Sequence, residues 1–190
     1  RVYVWDFVLD EKPACDTAFG LSKGDIYSAH GVTADDDGVL YKTYYDFLLE
    51  NRICAYDLPY DLTDSRVDEY LDNPRVTSFH ITGYKTDYSN EKLGTIYNKL
   101  SANEDWFEKG YFYYVDEPMN ESALGEIASA GQNLASVYPG YQMLAPYFMN
   151  YEFGGKDMIS IMEPYINIWC TKVNAWTPQG ATGNGVVHML

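Results

Sequence analysis

The chain of 190 residues carries 13 Lys and Arg against 28 Asp and Glu, which gives a formal net charge of −15 at neutral pH. Affinity for the phosphate backbone is built on clustered cations, so this charge argues against a nucleic-acid-binding protein. Apolar residues make up 46% of the chain and aromatic residues 16%, which is enough for a packed core and argues against disorder. The length suits a single domain over residues 1–190.

The three cysteines are odd in number and widely spaced, so they predict neither a disulfide framework nor a CxxC metal site. No apolar run approaches the roughly 18 residues that a helix needs to cross a bilayer. The sequence therefore predicts no membrane span and no structural metal.

The first half of the chain alternates strand-like and helix-like segments. A strand is predicted at Val2–Leu9, and a helix follows over Leu40–Leu48, where apolar residues recur on one face. A short second strand is predicted at Ile53–Tyr56. A second helix around Val67–Leu71 is expected to end before Pro74, because the residue before a proline is pushed out of the helical region.

The alternation continues in the second half, and the tail over 174–185 is predicted to be a loop. The segments predicted here are strands at Val76–Ile81, Tyr111–Val115, Met143–Phe148 and Ile166–Cys170, and helices at Leu93–Leu100, Leu124–Val137 and around Asp157–Met162. Repeated β-α units indicate an α/β protein with a parallel sheet, either open and doubly wound or closed as a barrel. Both architectures gather functional groups after the carboxyl ends of the strands.

The most informative motif is YFYYVDEP at 111–118, a β-prone run that ends in two carboxylates and a proline. Where the strand ends, the chain can turn and aim Asp116 and Glu117 into one pocket, with Pro118 holding Glu117 extended. Two crowded carboxylates repel, so the pKa of one is expected to rise while the other stays ionised. Glycoside cleavage needs such a proton donor beside an anion. The alternative is that Asp116 caps a turn and Glu117 is merely solvated.

Aromatic residues at predicted strand ends are the second signal. Tyr113, Tyr147 and Trp169 are candidates for stacking on a sugar, whose C–H faces suit aromatic rings. His80 and Asp57 also follow strands and could hydrogen-bond a sugar hydroxyl. For these two, a satisfied core histidine and a turn-forming aspartate are equally good interpretations.

A third motif, GxSxG at 20–24, is typical of the nucleophile elbow of serine hydrolases, with Ser22 as nucleophile. The elbow needs a strand before the serine and a helix after it, whereas the flanking residues here are turn-rich. We therefore keep a serine hydrolase only as a minor alternative.

Four segments together resemble the catalytic module of glycoside hydrolase family 123 and its uncharacterised relatives. They are YVWDFVLDEKPACDTAFG at 3–20, YYDFLLENRICAYDLP at 44–59, YFYYVDEP at 111–118 and INIW at 166–169. The resemblance implies a TIM-type (β/α) barrel, of which about six of the eight β-α units are legible. The remaining units are then expected either to lie outside this chain, as part of a larger protein, or to be too irregular to recognise in the sequence.

The resemblance also implies a β-N-acetylgalactosaminidase that acts with retention by substrate assistance. Glu117 would protonate the glycosidic oxygen and later act as base toward water, while Asp116 would orient the 2-acetamido group of the substrate. It implies a carbohydrate or glycoconjugate partner, no metal or organic cofactor, and an extracellular or cell-surface location in a bacterium. A noncatalytic carbohydrate-binding module on a degenerate barrel is the alternative.

Overall fold

The structure is a computed structural model that describes residues 2–33, 38–84, 86–147 and 151–171, with the side chain of residue 171 left out. Helices and short strands alternate through these residues. The helices are α1 Lys23–His30, α2 Val39–Glu50, α3 Asp68–Leu71, α4 Asn90–Leu100, α5 Glu104–Lys109, α6 Glu121–Val137 and α7 Met158–Met162. The strands are β1 Phe79–Thr82, β2 Gly110–Phe112, β3 Leu144–Tyr147, β4 Glu152–Phe153, β5 Lys156–Asp157 and β6 Ile168–Thr171.

The described strands form three two-stranded sheets. β1 pairs with β2 and β3 pairs with β6, both in parallel, while β4 and β5 form an antiparallel hairpin. Two isolated parallel bridges, Phe19 to Ala55 and Phe112 to Met143, connect further segments of the chain. The parallel pairs confirm that the chain is an α/β protein in which β-α alternation brings strands side by side.

The predicted TIM-type barrel is wrong. The described residues contain no barrel of eight β-α units, since their strands are only two to four residues long and form separate pairs. A closed barrel needs a continuous ladder of hydrogen bonds from strand to strand. Single bridges such as that between Phe112 and Met143 do not supply it. The alternation of elements predicts parallel pairing but specifies neither strand length nor closure.

The long amphipathic helices are confirmed. The predicted segments Leu40–Leu48, Leu93–Leu100 and Leu124–Val137 lie within α2, α4 and α6, and the predicted apolar faces of α4 and α6 are largely buried. In α2 the predicted face is wrong: the buried side chains are Tyr41, Tyr45 and Leu49, whereas Tyr44 and Phe47 are exposed. The short helices predicted around 67–71 and 157–162 are confirmed as α3, preceded by a 3₁₀ turn, and as α7. Apolar stripes at helical spacing are a strong signal because they bury a whole helix face.

The strand predicted at Val2–Leu9 is wrong. This segment has no sheet partner among the described residues, and its apolar side chains are exposed, with Trp5 at 77% of full exposure. The guanidinium of Arg52 holds its end by donating to the carbonyl oxygens of Leu9 and Asp10 at 3.3 and 2.5 Å. A β-prone sequence becomes a strand only when a neighbouring strand accepts its hydrogen bonds, and that neighbour is invisible in the local sequence.

The other predicted strands are confirmed only in part, because the observed strands are shorter. The segment predicted at 53–56 keeps only the bridge at Ala55, and four others overlap β1, β2, β3 and β6. The predicted loop over 174–185 lies outside the described residues. The hairpin of β4 and β5 was missed, although Gly154 and Gly155, both with positive φ, are a familiar hairpin signal.

Helices α1 and α5 were also missed. Ser22, the residue that the GxSxG motif would make a nucleophile, instead caps α1, and its Oγ accepts from the backbone N–H of Asp25 at 3.1 Å. Asn103 caps α5 in the same way. Both helices are shorter than the stretch over which a helical apolar period can be recognised, so their capping residues were the clearest signal in the sequence.

Buried side chains form one main core and one small cluster on opposite faces of the strands. Phe79 and Phe112, both fully buried, point into the main core with the helices. Tyr111, Leu144 and Ile168 form the small cluster on the other face. This division follows from the period-2 alternation of side chains along each strand, and it decides which residues can reach a site.

Tyr138 lies at the centre of an aromatic group in the main core. Its ring stacks on Phe107 at 5.5 Å between centroids and contacts the edges of Tyr97 and Phe112 at 5.1 Å each. The side chain is 1% exposed, and its hydroxyl has no hydrogen bond within the part of the chain that the structure describes. The ring is therefore the stabilising part of this residue.

We expect Tyr138→Phe to leave the free energy of unfolding within about 1 kcal/mol of wild type or to raise it, because no hydrogen bond is lost. Tyr138→Ala should lower it by about 3 to 5 kcal/mol, because a large cavity opens in the core. Urea denaturation followed by circular dichroism measures both. A loss of several kcal/mol in the Phe variant would show that the hydroxyl has a stabilising partner.

Candidate functional site

The site begins at the carboxyl ends of β1 and β2. In the parallel register His80 lies opposite Tyr111, and the backbone N–H of Tyr113 donates to the carbonyl of Thr82 at 3.0 Å just beyond β2. This register places three rings on one face of the pair. The His80 ring lies 4.8 Å from that of Tyr111 and 5.6 Å from that of Tyr113.

The segment after Ala55 brings two more side chains to the same place. The backbone N–H of His80 donates to the carbonyl of Tyr56 at 2.8 Å, so the Tyr56 ring stacks on the His80 ring at 4.1 Å. The next residue, Asp57, then places its Oδ1 3.3 Å from Nδ1 of His80. His80, Asp57 and Tyr113, three of the predicted site residues, thus lie together.

These side chains border a cavity of about 530 Å³. That volume is within the range of roughly 300 to 1,000 Å³ typical of small-molecule pockets. Tyrosines and loop residues around the ends of the strands supply its wall. The residues that line it are Lys23, Tyr56, Asp57, Leu58, Pro59, Tyr60, Asp61, Leu62, His80, Ile81, Gly83, Tyr84, Thr86, Tyr88 and Tyr113.

Neither acidic residue of the DEP motif is part of the cavity lining, but Asp116 contacts a residue that is. The hydroxyl of Tyr113 donates to Oδ1 of Asp116 at 2.6 Å, which ties that carboxylate to the cavity wall. Asp116 and Glu117 are both exposed, whereas Val115 before them and Pro118 after them are buried. The turn is therefore anchored at both ends and presents its two carboxylates outward.

Glu117 has a φ of 42°, in the left-handed region that non-glycine residues rarely adopt. The prediction that Pro118 holds Glu117 extended is therefore wrong. Residues in this region cost about 1 to 3 kcal/mol and are concentrated at functional sites, where surrounding structure holds them. The left-handed turn breaks the alternation of the strand, so two neighbouring acids need not point to opposite faces.

Tyr147 and Trp169 do not join the other predicted site residues. Their rings contact each other at 6.1 Å between centroids, and both pack against the main core. They lie near the predicted strand ends but on the opposite face from Tyr111 and Tyr113. Both faces of these strands are rich in apolar residues, so the sequence does not reveal which side chains point to the cavity.

Sequence analysis missed most of the cavity wall. Tyr56 and Tyr111 both contact the His80 ring, and Tyr60, Tyr84 and Tyr88 line the cavity from loops. The position of Tyr56, directly before Asp57 at the end of a predicted strand, was an available signal. The loop tyrosines had none, because their approach depends on tertiary structure.

Burial and nearby carboxylates both act on the tyrosines of the site. Burial, followed by the hydrogen bond to Asp116, raises the pKa of Tyr113 well above its ordinary value. Burial also raises the pKa of Tyr56, with smaller contributions from the charges of Asp57 and Asp116. Both aspartates therefore disfavour ionisation of the Tyr56 hydroxyl, and the hydrogen bond from Tyr113 connects Asp116 to the cavity wall.

Within the described ranges, no group of three or more His, Cys, Asp or Glu side chains is arranged to hold a metal ion. None of the helices described is long and apolar enough to span a membrane.

Comparison with protein-family models and with curated proteins finds no match to this chain.

The raised tyrosine pKa values predict loss of stability at alkaline pH. In the unfolded chain, tyrosines release their protons near pH 10, whereas Tyr111 and Tyr113 keep theirs in the fold. Above about pH 10 the unfolded state therefore binds fewer protons, and the free energy of unfolding should fall as pH rises. Below that pH this contribution is fully present.

Urea denaturation at a series of pH values measures this effect, and near-ultraviolet phenolate absorbance reports tyrosine ionisation. We expect part of the phenolate signal to appear only as circular dichroism is lost. Complete ionisation of all tyrosines near pH 10 with an intact fold would contradict the burial of these rings.

Proposed function

We propose that this chain is a glycosidase that removes terminal β-linked N-acetylhexosamine residues, of the N-acetylgalactosamine type, by retaining, substrate-assisted catalysis. The observation that carries the proposal is the hydrogen bond from Tyr113 to Asp116 at the border of a tyrosine-lined cavity. This hydrogen bond connects a cavity whose tyrosines suit a sugar to Asp116 of the DEP motif. The resemblance of that motif to glycoside hydrolase family 123 supports the same chemistry.

Asp116 is suited to orient the acetamido group of the substrate. One carboxylate oxygen accepts from the Tyr113 hydroxyl at 2.6 Å, which leaves Oδ2 to accept from an amide N–H. An ionised carboxylate there also stabilises the positive charge that develops when the acetamido oxygen attacks the anomeric carbon. Because Tyr113 fixes the side chain, this interaction needs little reorganisation during the reaction.

Glu117 is suited to transfer the proton. Its carboxyl group is exposed and makes no hydrogen bond or ion pair with another described residue. In the first step it gives its proton to the glycosidic oxygen as the bond to the leaving group breaks. In the second step it takes a proton from the water that opens the cyclic intermediate, which restores the acid. The internal nucleophile belongs to the sugar, so no second enzyme carboxylate attacks.

A noncatalytic carbohydrate-binding module is the second candidate. It is favoured by the fact that neither Asp116 nor Glu117 lines the cavity, whose wall suits sugar binding by itself. The two candidates differ in one outcome, because only the enzyme releases a product from an N-acetylhexosaminide.

We expect Glu117→Gln to lower kcat for an aryl N-acetyl-β-galactosaminide by roughly 10²- to 10⁴-fold, the usual effect of losing a general acid. Binding of N-acetylgalactosamine should persist, because the amide keeps the size of the carboxyl group. Release of the aryl alcohol measures the rate, and NMR titration measures binding.

The matched control is Glu126→Gln, the same change at an exposed position of α6, which should retain wild-type activity. Full activity of Glu117→Gln would remove Glu117 from the acid role. A wild-type chain that binds the sugar but releases no aryl alcohol would favour the binding module.

A further inference from the structure

One carboxylate in the cavity has no hydrogen bond with the described residues and faces the open space. Asp57 is 48% exposed in its side chain, and its Oδ1 lies 3.3 Å from Nδ1 of His80 without hydrogen-bond geometry. Asp61, the other carboxylate of the lining, is already satisfied. Its Oδ2 accepts from Nζ of Lys92 at 2.7 Å and its Oδ1 from the hydroxyl of Thr63 at 2.7 Å. Asp57 is therefore the acidic group left for a ligand.

The backbone of Asp57 is held by a hydrogen bond, and its carboxylate lies against a buried ring. The buried hydroxyl of Tyr41 donates to the Asp57 carbonyl at 2.7 Å. Nδ1 of His80, whose side chain is 7% exposed, lies 3.3 Å from Oδ1 of this carboxylate, and the His80 ring stacks on Tyr56. A group pre-organised in this way loses little conformational entropy when a ligand binds.

The charges around the cavity favour a neutral ligand. Three cations already lie over tyrosine rings near it: Lys92 lies 3.8 Å from the Tyr88 ring and Arg66 4.2 Å from the Tyr60 ring. Lys23, which lines the cavity, lies 4.6 Å from the Tyr41 ring. Lys92 and Arg66 are also paired with the carboxylates of Asp61 and Asp64, so Lys23 and Asp57 remain as one charge of each sign in the lining. A cationic ligand would meet Lys23, and an anionic one would meet Asp57. A neutral molecule with hydroxyl donors and an apolar face avoids both conflicts.

We propose that Asp57, positioned by His80, binds the hydroxyl groups of a neutral pyranose sugar in this cavity. A carboxylate only accepts hydrogen bonds, and its two oxygens match a pair of neighbouring sugar hydroxyls. The tyrosine wall packs against the C–H face of the ring. His80 acts through Asp57 rather than on the sugar, since its Nδ1 is buried behind the carboxylate. The inference rests on the proposed function only for the choice of an N-acetylhexosamine as the sugar.

The test is NMR titration of the full chain with N-acetylgalactosamine, which is a product and is not turned over. We expect Asp57→Asn to raise the Kd about tenfold, because hydrogen bonds to a charged acceptor are lost. His80→Phe, which keeps a stacking ring, should raise the Kd several-fold. His80→Gln, which keeps an N–H donor, should restore part of the affinity.

A double-mutant cycle separates positioning from packing. If His80 acts through Asp57, His80→Phe should change the Kd in the wild type but not in an Asp57→Ala background. A purely structural role would weaken binding equally in both. Glu126→Gln is the control for a carboxyl group removed elsewhere on the surface.

Three results would overturn the inference: no binding of the sugar to the wild type, unchanged affinity in Asp57→Asn, or equal effects of His80→Phe in both backgrounds. The proposed function fails separately. A chain that binds the sugar in the expected pattern but cleaves no aryl glycoside keeps the inference and loses the glycosidase. If the wild type cleaves the glycoside but Asp57→Asn binds the sugar with unchanged affinity, the proposed function is retained and the inference about Asp57 is lost.

Discussion

The parallel register between β1 and β2 is the constraint on which the candidate site depends. It places His80 opposite the buried ring of Tyr111, and His80 and Tyr113 line the cavity. A shift of β2 by one residue would turn Tyr111 toward the main core and move Phe112 out of it, and the same shift of β1 would do this to His80 and Phe79. Burying each phenylalanine contributes about 1.5 to 3 kcal/mol, so the core specifies the register that the site needs. The packing of the core face of these strands therefore determines which side chains lie on the cavity face.

The turn after β2 is likewise held in place by buried residues. Buried Val115 and Pro118 hold the chain on either side of the exposed acidic pair, and the side chain of Asn120 caps α6 directly afterward. These anchors offset the cost of the left-handed conformation at Glu117. The hydrogen bond from Tyr113 then fixes Asp116 relative to the cavity. Asp116 thereby has a defined position although it lies four residues beyond the end of β2.

The sequence predicted the long helices and part of the site because both depend on local or near-local signals. Apolar stripes identified α2, α4 and α6, and strand-end positions brought together Asp57, His80 and Tyr113. The predicted barrel and the strand at 2–9 were wrong, because strand pairing depends on partners distant in the sequence.

The placing of Tyr147 and Trp169 among the site residues shows a second limit of sequence-based prediction. Strand-end position was visible, but the face on which each side chain lies was not. The loop tyrosines of the cavity had no signal at all, because only the folded chain brings Tyr60, Tyr84 and Tyr88 to one wall. Face and loop placement are properties of the tertiary structure, which a single sequence encodes only indirectly.

The central claim is that the acidic pair beside the tyrosine-lined cavity performs substrate-assisted hydrolysis of an N-acetylhexosaminide. Time-resolved proton NMR of the hydrolysis of an aryl N-acetyl-β-galactosaminide tests it most directly, because the anomeric signals of the first product report the stereochemistry. The account predicts that the β-anomer appears first and then mutarotates. Initial formation of the α-anomer, or no hydrolysis at all, would contradict it.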